Sequence, residues 1–324
     1  METRGLIWWK AGLVALGTAA FVAVPAGAAT ASVAGADDMD PSTRSNMKNA
    51  MEGEAMAHAV YRAYAAQAER ESLPQVRELF ERTAASELRG LVAPQAKQLG
   101  MVGDNAANLR ESTGGESYEE RTMYKRFAAQ AKEDAEPKAA ALFNEISGDE
   151  ASHRVRFARA AEAIAGRSSE TAVPTDVTVK PASIRAGMPQ VSSPRTMRNL
   201  RTAMRGEALA HAKYVMYAER ARATGEPRLA TLYDRTAEVE RAEHFAEQAN
   251  LTGLVRDTGT NLRTAIAEES TAGGETYPMY AQQAAAAGDT ASSELFTAAA
   301  RDKLAHAQAF NEALSAIDTG AAAS

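Results

Sequence analysis

Six side chains interrupt apolar helical stripes in the first half of this chain with groups that hold metals or move protons. Glu54 sits within the stripe Met47, Ala50, Met51, Ala57 and Tyr61, and Glu87 lies between Phe80, Ala84 and Leu91. Glu116 and Glu119 share a stripe with Met123 and Phe127. The run Phe143, Ile146, Glu150, His153, Phe157 places an acid and an imidazole one turn apart on one apolar face. A helical glutamate ordinarily faces solvent, but these share their face with Phe, Ile, Met and Ala. Burying uncompensated carboxylates costs on the order of several kcal/mol each, so something cationic must sit among them. Oxygen-rich sets with one or two imidazoles suit iron or manganese. A glutamate from each of two helices, with Glu-x-x-His from the others, is the di-iron bundle arrangement.

Four helices are needed to bring such a set together, and the sequence supplies them twice. Alanine, glutamate, arginine, glutamine and methionine at helical spacing, with no convincing strand, predict an all-α protein. Helices are expected over 43–70, 73–98, 108–134 and 136–165, and again over 196–223, 226–251, 261–287 and 289–317. A constant shift of the numbering, with no gap, pairs Ala50-Met51-Glu52-Gly53-Glu54 with Ala203-Met204-Arg205-Gly206-Glu207. The same shift pairs Asn108-Leu109-Arg110 with Asn261-Leu262-Arg263 and His153 with His306, the mark of a duplicated domain. The expected units are 43–166 and 194–318, joined by a Ser-, Thr-, Val- and Pro-rich linker over 167–193. Glu71-Ser72-Leu73-Pro74 and Gly225-Glu226-Pro227 read as tight turns, and Gly100 to Asn108 as a connection crossing the bundle.

The net charge of −6 and the lack of any basic block argue against nucleic acid as a partner. The absence of cysteine excludes disulfides, thiol catalysis and iron held by thiolates. Arg4 and Lys10 precede an apolar run from Ala11 to Val24 and the small residues Ala26-Gly27-Ala28. That order predicts a cleaved signal peptide over 1–28 and an exported protein of the periplasm or cell envelope. An uncleaved membrane anchor is the alternative, and residues 29–42 are expected to be loose.

Asn108-Leu109-Arg110, followed by Gly115-Glu116-Ser117-Tyr118-Glu119 and Met123-Tyr124, resembles the third helix of the rubrerythrin branch of the ferritin-like di-iron proteins. The resemblance covers nearly all of both copies and implies two tandem ferritin-like four-helix bundles. It further implies two iron ions, or manganese, in the first domain. Glu87 and Glu150 would bridge them, Glu54 and Glu119 would complete one ion, and Glu116 and His153 the other. The family's second helix carries Glu-x-x-His, whose histidine takes over from the extra glutamate on reduction; here the sequence is Glu87-Leu88-Arg89-Gly90. His58, four residues after Glu54, is a candidate substitute ligand, with a structural core histidine as the alternative.

The second copy keeps Glu207, Glu240, Glu269 and His306, but Ala272 stands where Glu119 would, and Lys303 where Glu150 would. Glu243 takes the place of Gly90, with His244 beside it. This degenerate second site is expected to hold no metal, its lysine ammonium replacing the ions. Fused copies can also exchange helix pairs. A mixed site would then unite Glu207, Glu240 and Glu243 with Glu116, Glu119, Glu150 and His153. The short crossover favours the unexchanged form.

On this resemblance the leading function is a di-iron oxidoreductase that reduces hydrogen peroxide, with no catalytic groups beyond the metal ligands. Tyr61 or Tyr118 is a candidate proton source. Re-reduction would need an external electron donor. The alternatives are oxidation by oxygen with iron sequestration, and a structural bundle. A homodimer is compatible with the sequence.

Overall fold

A computed structural model describes residues 39–166 and 172–320, so the expected signal segment lies outside the described residues. We number the eight long helices in chain order. Helix α1 is Pro41–Arg70 and α4 is Pro137–Ile164; α5 is Pro194–Ala223 and α8 is Thr290–Asp318. The other four are each broken by one π-helical turn. Helix α2 spans 74–98 with its π turn at Glu87–Val92, and α3 spans 105–133 with a π turn at Glu119–Met123. Helix α6 spans 227–252 with a π turn at Glu240–Phe245, and α7 spans 258–287 with a π turn at Ala272–Thr276. Among the described residues no helix is long and apolar enough to cross a membrane.

Helix starts follow their local chemistry. The Asp40, Asp104, Ser193 and Asp257 side chains accept from N–H groups of the first turns of α1, α3, α5 and α7. Prolines 41, 74, 137, 194 and 227 occupy first-turn positions, where a missing N–H costs nothing. Residues 39–42 are not loose: Met39 is buried, and the Asp40 N–H donates to Asp289.

The helices form two four-helix bundles, but each bundle draws on both copies. Helices α1 and α2 pack with α7 and α8, and α5 and α6 with α3 and α4. The aromatic cores show it. Phe310 of α8 lies 5.2 Å from Tyr61 and 5.1 Å from Phe80, ring to ring. Its counterpart Phe157 of α4 lies 5.2 Å from both Tyr214 and Tyr233. At the surface, Asn46 donates to Gln283 at 2.8 Å and the equivalent Asn199 to Gln130 at 2.9 Å. The unexchanged pairing favoured by the sequence is therefore corrected, and with it the division at 43–166 and 194–318 as separately closed bundles.

The short crossover does not prevent this result. Residues 99–104 lead from α2 into the adjoining pair, which lies close because α1 and α5 pack against each other. Asn108 closes the turn by accepting the Gly103 N–H at 2.8 Å, and Asn261 does the same for Arg256 at 2.9 Å. Asn105 then donates to Thr224 at the far corner, and at the equivalent corner the Thr258 N–H donates to Glu71.

The described part of the linker is bound rather than free. It runs along α6, with Val173, Val177 and Val191 buried. Arg228 and Arg235 donate to the Val173 and Val177 carbonyls, and the Ala182 N–H donates to the Ala242 carbonyl within the π turn. Gly253 ends α6 at φ 61°, and a Cβ there would stand 2.5 Å from the Pro189 nitrogen.

The pairing is testable because the chain has no cysteine of its own. A short bis-maleimide should join the two thiols of an Asn46→Cys, Gln283→Cys variant within one chain. Asn46→Cys with Gln130→Cys should stay open. The reverse pattern would restore the unexchanged pairing.

Candidate metal centre

The crossed pairing assembles six candidate metal-binding side chains in the α3–α6 bundle. Helices α3 and α4 contribute Glu116, Glu150 and His153, α5 and α6 contribute Glu207, Glu240 and His244, and Glu119 of α3 feels the charges of the same carboxylates. His153 Nδ1 lies 2.9 Å from Glu150, 3.3 Å from Glu240 and 3.7 Å from Glu116. His244 Nδ1 lies 2.9 Å from Glu240, 3.2 Å from Glu150 and 3.6 Å from Glu207. Two ligand groups result, Glu116–Glu150–His153–Glu240 and Glu150–Glu207–Glu240–His244. They share Glu150 and Glu240, as the two carboxylates bridging a metal pair would be shared.

The fit to a metal pair rests on unmet demand. Glu116 Oε2, Glu150 Oε1, Glu207 Oε2 and Glu240 Oε1 are buried and make no hydrogen bond. Their partner oxygens on Glu116 and Glu207 accept the hydroxyls of Tyr214 and Tyr124, so each terminal carboxylate is oriented from the opposite helix pair. Gln248 donates to the Tyr124 hydroxyl at 3.2 Å and holds it in place. Four carboxylates with two imidazoles make a donor set suited to iron or manganese.

Without metal the cluster is electrostatically unbalanced. Burial pushes Glu116 and Glu119 well above the usual carboxylate range, and the Glu150 charge adds to both. Burial lifts Glu207 to about 8. At Glu150 burial acts in the same direction, but the His244 and His153 imidazoles reverse it and hold that carboxyl low. Burial would neutralise the two histidines, yet their carboxylate neighbours raise both well above the ordinary range. Glu119 is only half-buried and starts the π turn of α3, as Glu240 starts that of α6. π turns are frequent at functional sites because they re-aim side chains.

Several sequence assignments change. Glu54 and Glu87 do not join Glu116, Glu119, Glu150 and His153; Glu207 and Glu240 do. Glu243 is not in the cluster, since its carboxylate accepts the Lys180 N–H of the linker. The π turn carries His244 inward instead, and an ungapped match to Gly90 missed this by one residue. The signal was nonetheless present, an acid and a histidine four residues apart on one stripe. His58 is not a ligand. It meets the Ala84 carbonyl through Nδ1 at 2.8 Å and stacks on His211, ring centroids 5.2 Å apart, where α1 meets α5. His211 repeats the contact with Ala237 at 2.7 Å. Tyr118 is exposed, and Tyr61 donates to Glu269 in the other bundle. Tyr124, Tyr214 and Gln248 are the polar neighbours that the sequence reading overlooked.

The α1–α2–α7–α8 bundle holds the degenerate counterpart. Lys303 reaches Glu54, Glu87 at 2.8 Å and Glu269 at 3.1 Å, and His306 Nδ1 lies 3.1 Å from Glu87 and 3.2 Å from Glu269. Burial opposes the Lys303 charge, but Glu269, Glu54 and Glu87 outweigh it and hold the ammonium well above the ordinary lysine range. His306, pulled down by burial, is raised to about 9 by its bonds to Glu269 and Glu87. Leu91 and Ala272 stand where the first site has His244 and Glu119.

Two outcomes are expected. The full chain should bind two divalent ions, lose both on Glu240→Gln or Glu150→Lys, and keep both on Glu87→Gln. Loss through Glu87 but not Glu240, measured by metal analysis, would favour a single-copy site. The stacked histidines give a stability prediction. Burial holds His58 at about 4 and His211, with the His58 ring beside it, at about 3. The unfolded chain takes up those protons first, near pH ~6.5. The stack's stabilisation is therefore complete above pH ~6.5 and is lost as pH falls toward 4, on the order of 2 kcal/mol per histidine. Urea midpoints at pH 7 and 4.5 should fall less in a His58→Gln, His211→Gln variant than in the parent; an equal fall would remove this role.

The rubrerythrin family profile matches residues 45–89, 92–161 and 260–323, together more than half of the chain. The chain is 35% identical over 129 residues to nigerythrin of Nitratidesulfovibrio vulgaris, covering 36% of this chain and 64% of that protein. It is 31% identical over 127 residues to rubrerythrin of Porphyromonas gingivalis, covering 36% and 64%. It is 32% identical over 127 residues to rubrerythrin of Nitratidesulfovibrio vulgaris, covering 36% and 66%. The chain thus spans less than two thirds of the length of the curated relatives it matches. No solved structure matches it. With three matched regions spread over both copies, this chain belongs to the rubrerythrin family.

Proposed function

We propose that this protein is a non-haem di-iron oxidoreductase that reduces hydrogen peroxide at the α3–α6 centre, using an external electron donor. The observation that carries the reading is the cluster of six ligand groups, with His244 supplying the histidine that the first copy lacks. Reduction of one peroxide to two waters takes two electrons and two protons, and a ferrous pair supplies the electrons when bound.

The protein's own groups do the rest. Glu150 and Glu240, common to both ligand groups, would hold a metal pair together with Glu116, Glu207, His153 and His244. The Tyr214 and Tyr124 hydroxyls donate to the carboxylates of Glu116 and Glu207 respectively, which holds a phenolic proton beside each terminal carboxylate of the centre. Glu119, half-buried on its π turn, and His244 from the facing helix pair are the two groups whose exchange the family resemblance implies. A site lacking that histidine would favour iron sequestration; with His244 in place, that reason for preferring it disappears. The charged start and apolar run of residues 4–24 support export to the cell envelope.

Anaerobic stopped-flow mixing of the ferrous protein with peroxide or oxygen tests the activity. Oxidation by peroxide should be at least about tenfold faster, and His244→Leu, which copies Leu91, should slow it by about 10–100-fold, in the range seen when metal-site partners are lost. Faster oxidation by oxygen, with the iron retained, would replace this function with ferroxidation.

A further inference from the structure

Replacing a bridging carboxylate by lysine puts a positive charge where a metal pair would need a negative one. The degenerate bundle has arranged every remaining group around that change. Lys303 is 2% exposed and touches carboxylates from three helices: Glu54 of α1, Glu87 of α2 and Glu269 of α7. The oxygens it leaves are taken up by other partners. Tyr277 donates to Glu54, and His306 stands beside the second oxygens of Glu87 and Glu269. In the metal centre four buried carboxylate oxygens have no hydrogen-bond partner, against one here, Glu87 Oε1, which has the His306 ring 3.1 Å away. A Cβ added at Gly273, in the π turn of α7, would stand 2.7 Å from the Ala300 carbonyl of α8. A bulkier residue following a ligand at position 272 has no room there.

We propose that the Lys303 ammonium takes the place of the metal pair in the α1–α2–α7–α8 bundle and clamps the two ends of the chain together without metal. Its contacts join residues more than 200 positions apart in sequence, since Lys303 on the last helix holds Glu54 and Glu87 on the first two. The clamp closes the α1–α2–α7–α8 bundle whether or not the first centre is loaded. It stands independently of the peroxide reading, because its readout is taken on metal-free protein.

The test uses the full chain stripped of metal by chelator. Lys303→Met leaves three buried carboxylates without their ammonium and should lower the melting temperature by about 5–10 °C. Changing Glu54, Glu87 and Glu269 to Gln in that background removes the need for a counter-charge and should recover most of the loss. If Lys303→Met does not fold, folding of the combined variant supplies the same evidence. Manganese titration of the parent should stop at two ions per chain. An unchanged melting temperature in Lys303→Met, no recovery in the combined variant, or a third or fourth bound ion overturns the proposal.

Discussion

Carboxylates at the centre of a helical bundle must be balanced by positive charge, and the rest of this structure is organised around that demand. Helical burial puts Glu54, Glu87, Glu116, Glu150, Glu207, Glu240 and Glu269 almost completely out of solvent. Each would cost more stability than a domain of this size can spare if left unpaired. The central bundle leaves four of its carboxylate oxygens unpartnered around two imidazoles, a set that divalent ions would complete. The outer bundle surrounds its carboxylates with an ammonium, an imidazole and two tyrosine hydroxyls. The same duplicated framework thus meets one electrostatic requirement in two chemically different ways.

The crossed topology separates those two ways cleanly. Helices α3 to α6 are contiguous in sequence and form the central bundle, while α1, α2, α7 and α8 flank them and form the outer one. The three departures from a full ligand set, Leu91, Ala272 and Lys303, lie on α2, α7 and α8. All three therefore fall in the outer bundle. Without the exchange, each copy would have lost something: the first its histidine at Leu91, the second its glutamate at Ala272 and its bridge at Lys303. Crossing gathers every retained ligand into one centre and every loss into the other.

Much of this was legible in the sequence. The eight helices and the offset relating the copies follow from periodicity and repetition. So does the presence of acids on the buried stripes. What periodicity does not encode is which pair of helices a third helix will join. The shortness of the crossover from Gly100 to Asn108 favours the unexchanged pairing only if the neighbouring pair is distant, and the α1–α5 contact brings that pair close. His244 was missed for a local reason. A π turn adds a residue to one turn of helix, so a motif counted by the regular spacing puts Glu243 inward. The structure turns Glu243 to the Lys180 N–H and His244 to the cluster.

The π turns also show how the fold outlasts its chemistry. They occur at equivalent places in α2, α3, α6 and α7, opening at Glu87, Glu119, Glu240 and Ala272. In α7 the opening residue is no longer acidic, so metal binding cannot be what preserves the turn there. In α2 and α6 the neighbouring contacts are structural: His58 and His211 reach the carbonyls of Ala84 and Ala237, three residues before each turn, and stack on one another across α1 and α5. This histidine pair ties each first helix to its second where the regular hydrogen-bonding pattern breaks, and ties the two copies together at their shared face. The imidazoles that looked like spare ligands therefore belong to the framework. They position Glu87 and Glu240 alike, and the groups opposite, Lys303 for one and Glu150 with His244 for the other, decide whether the pocket holds an ammonium or a metal pair.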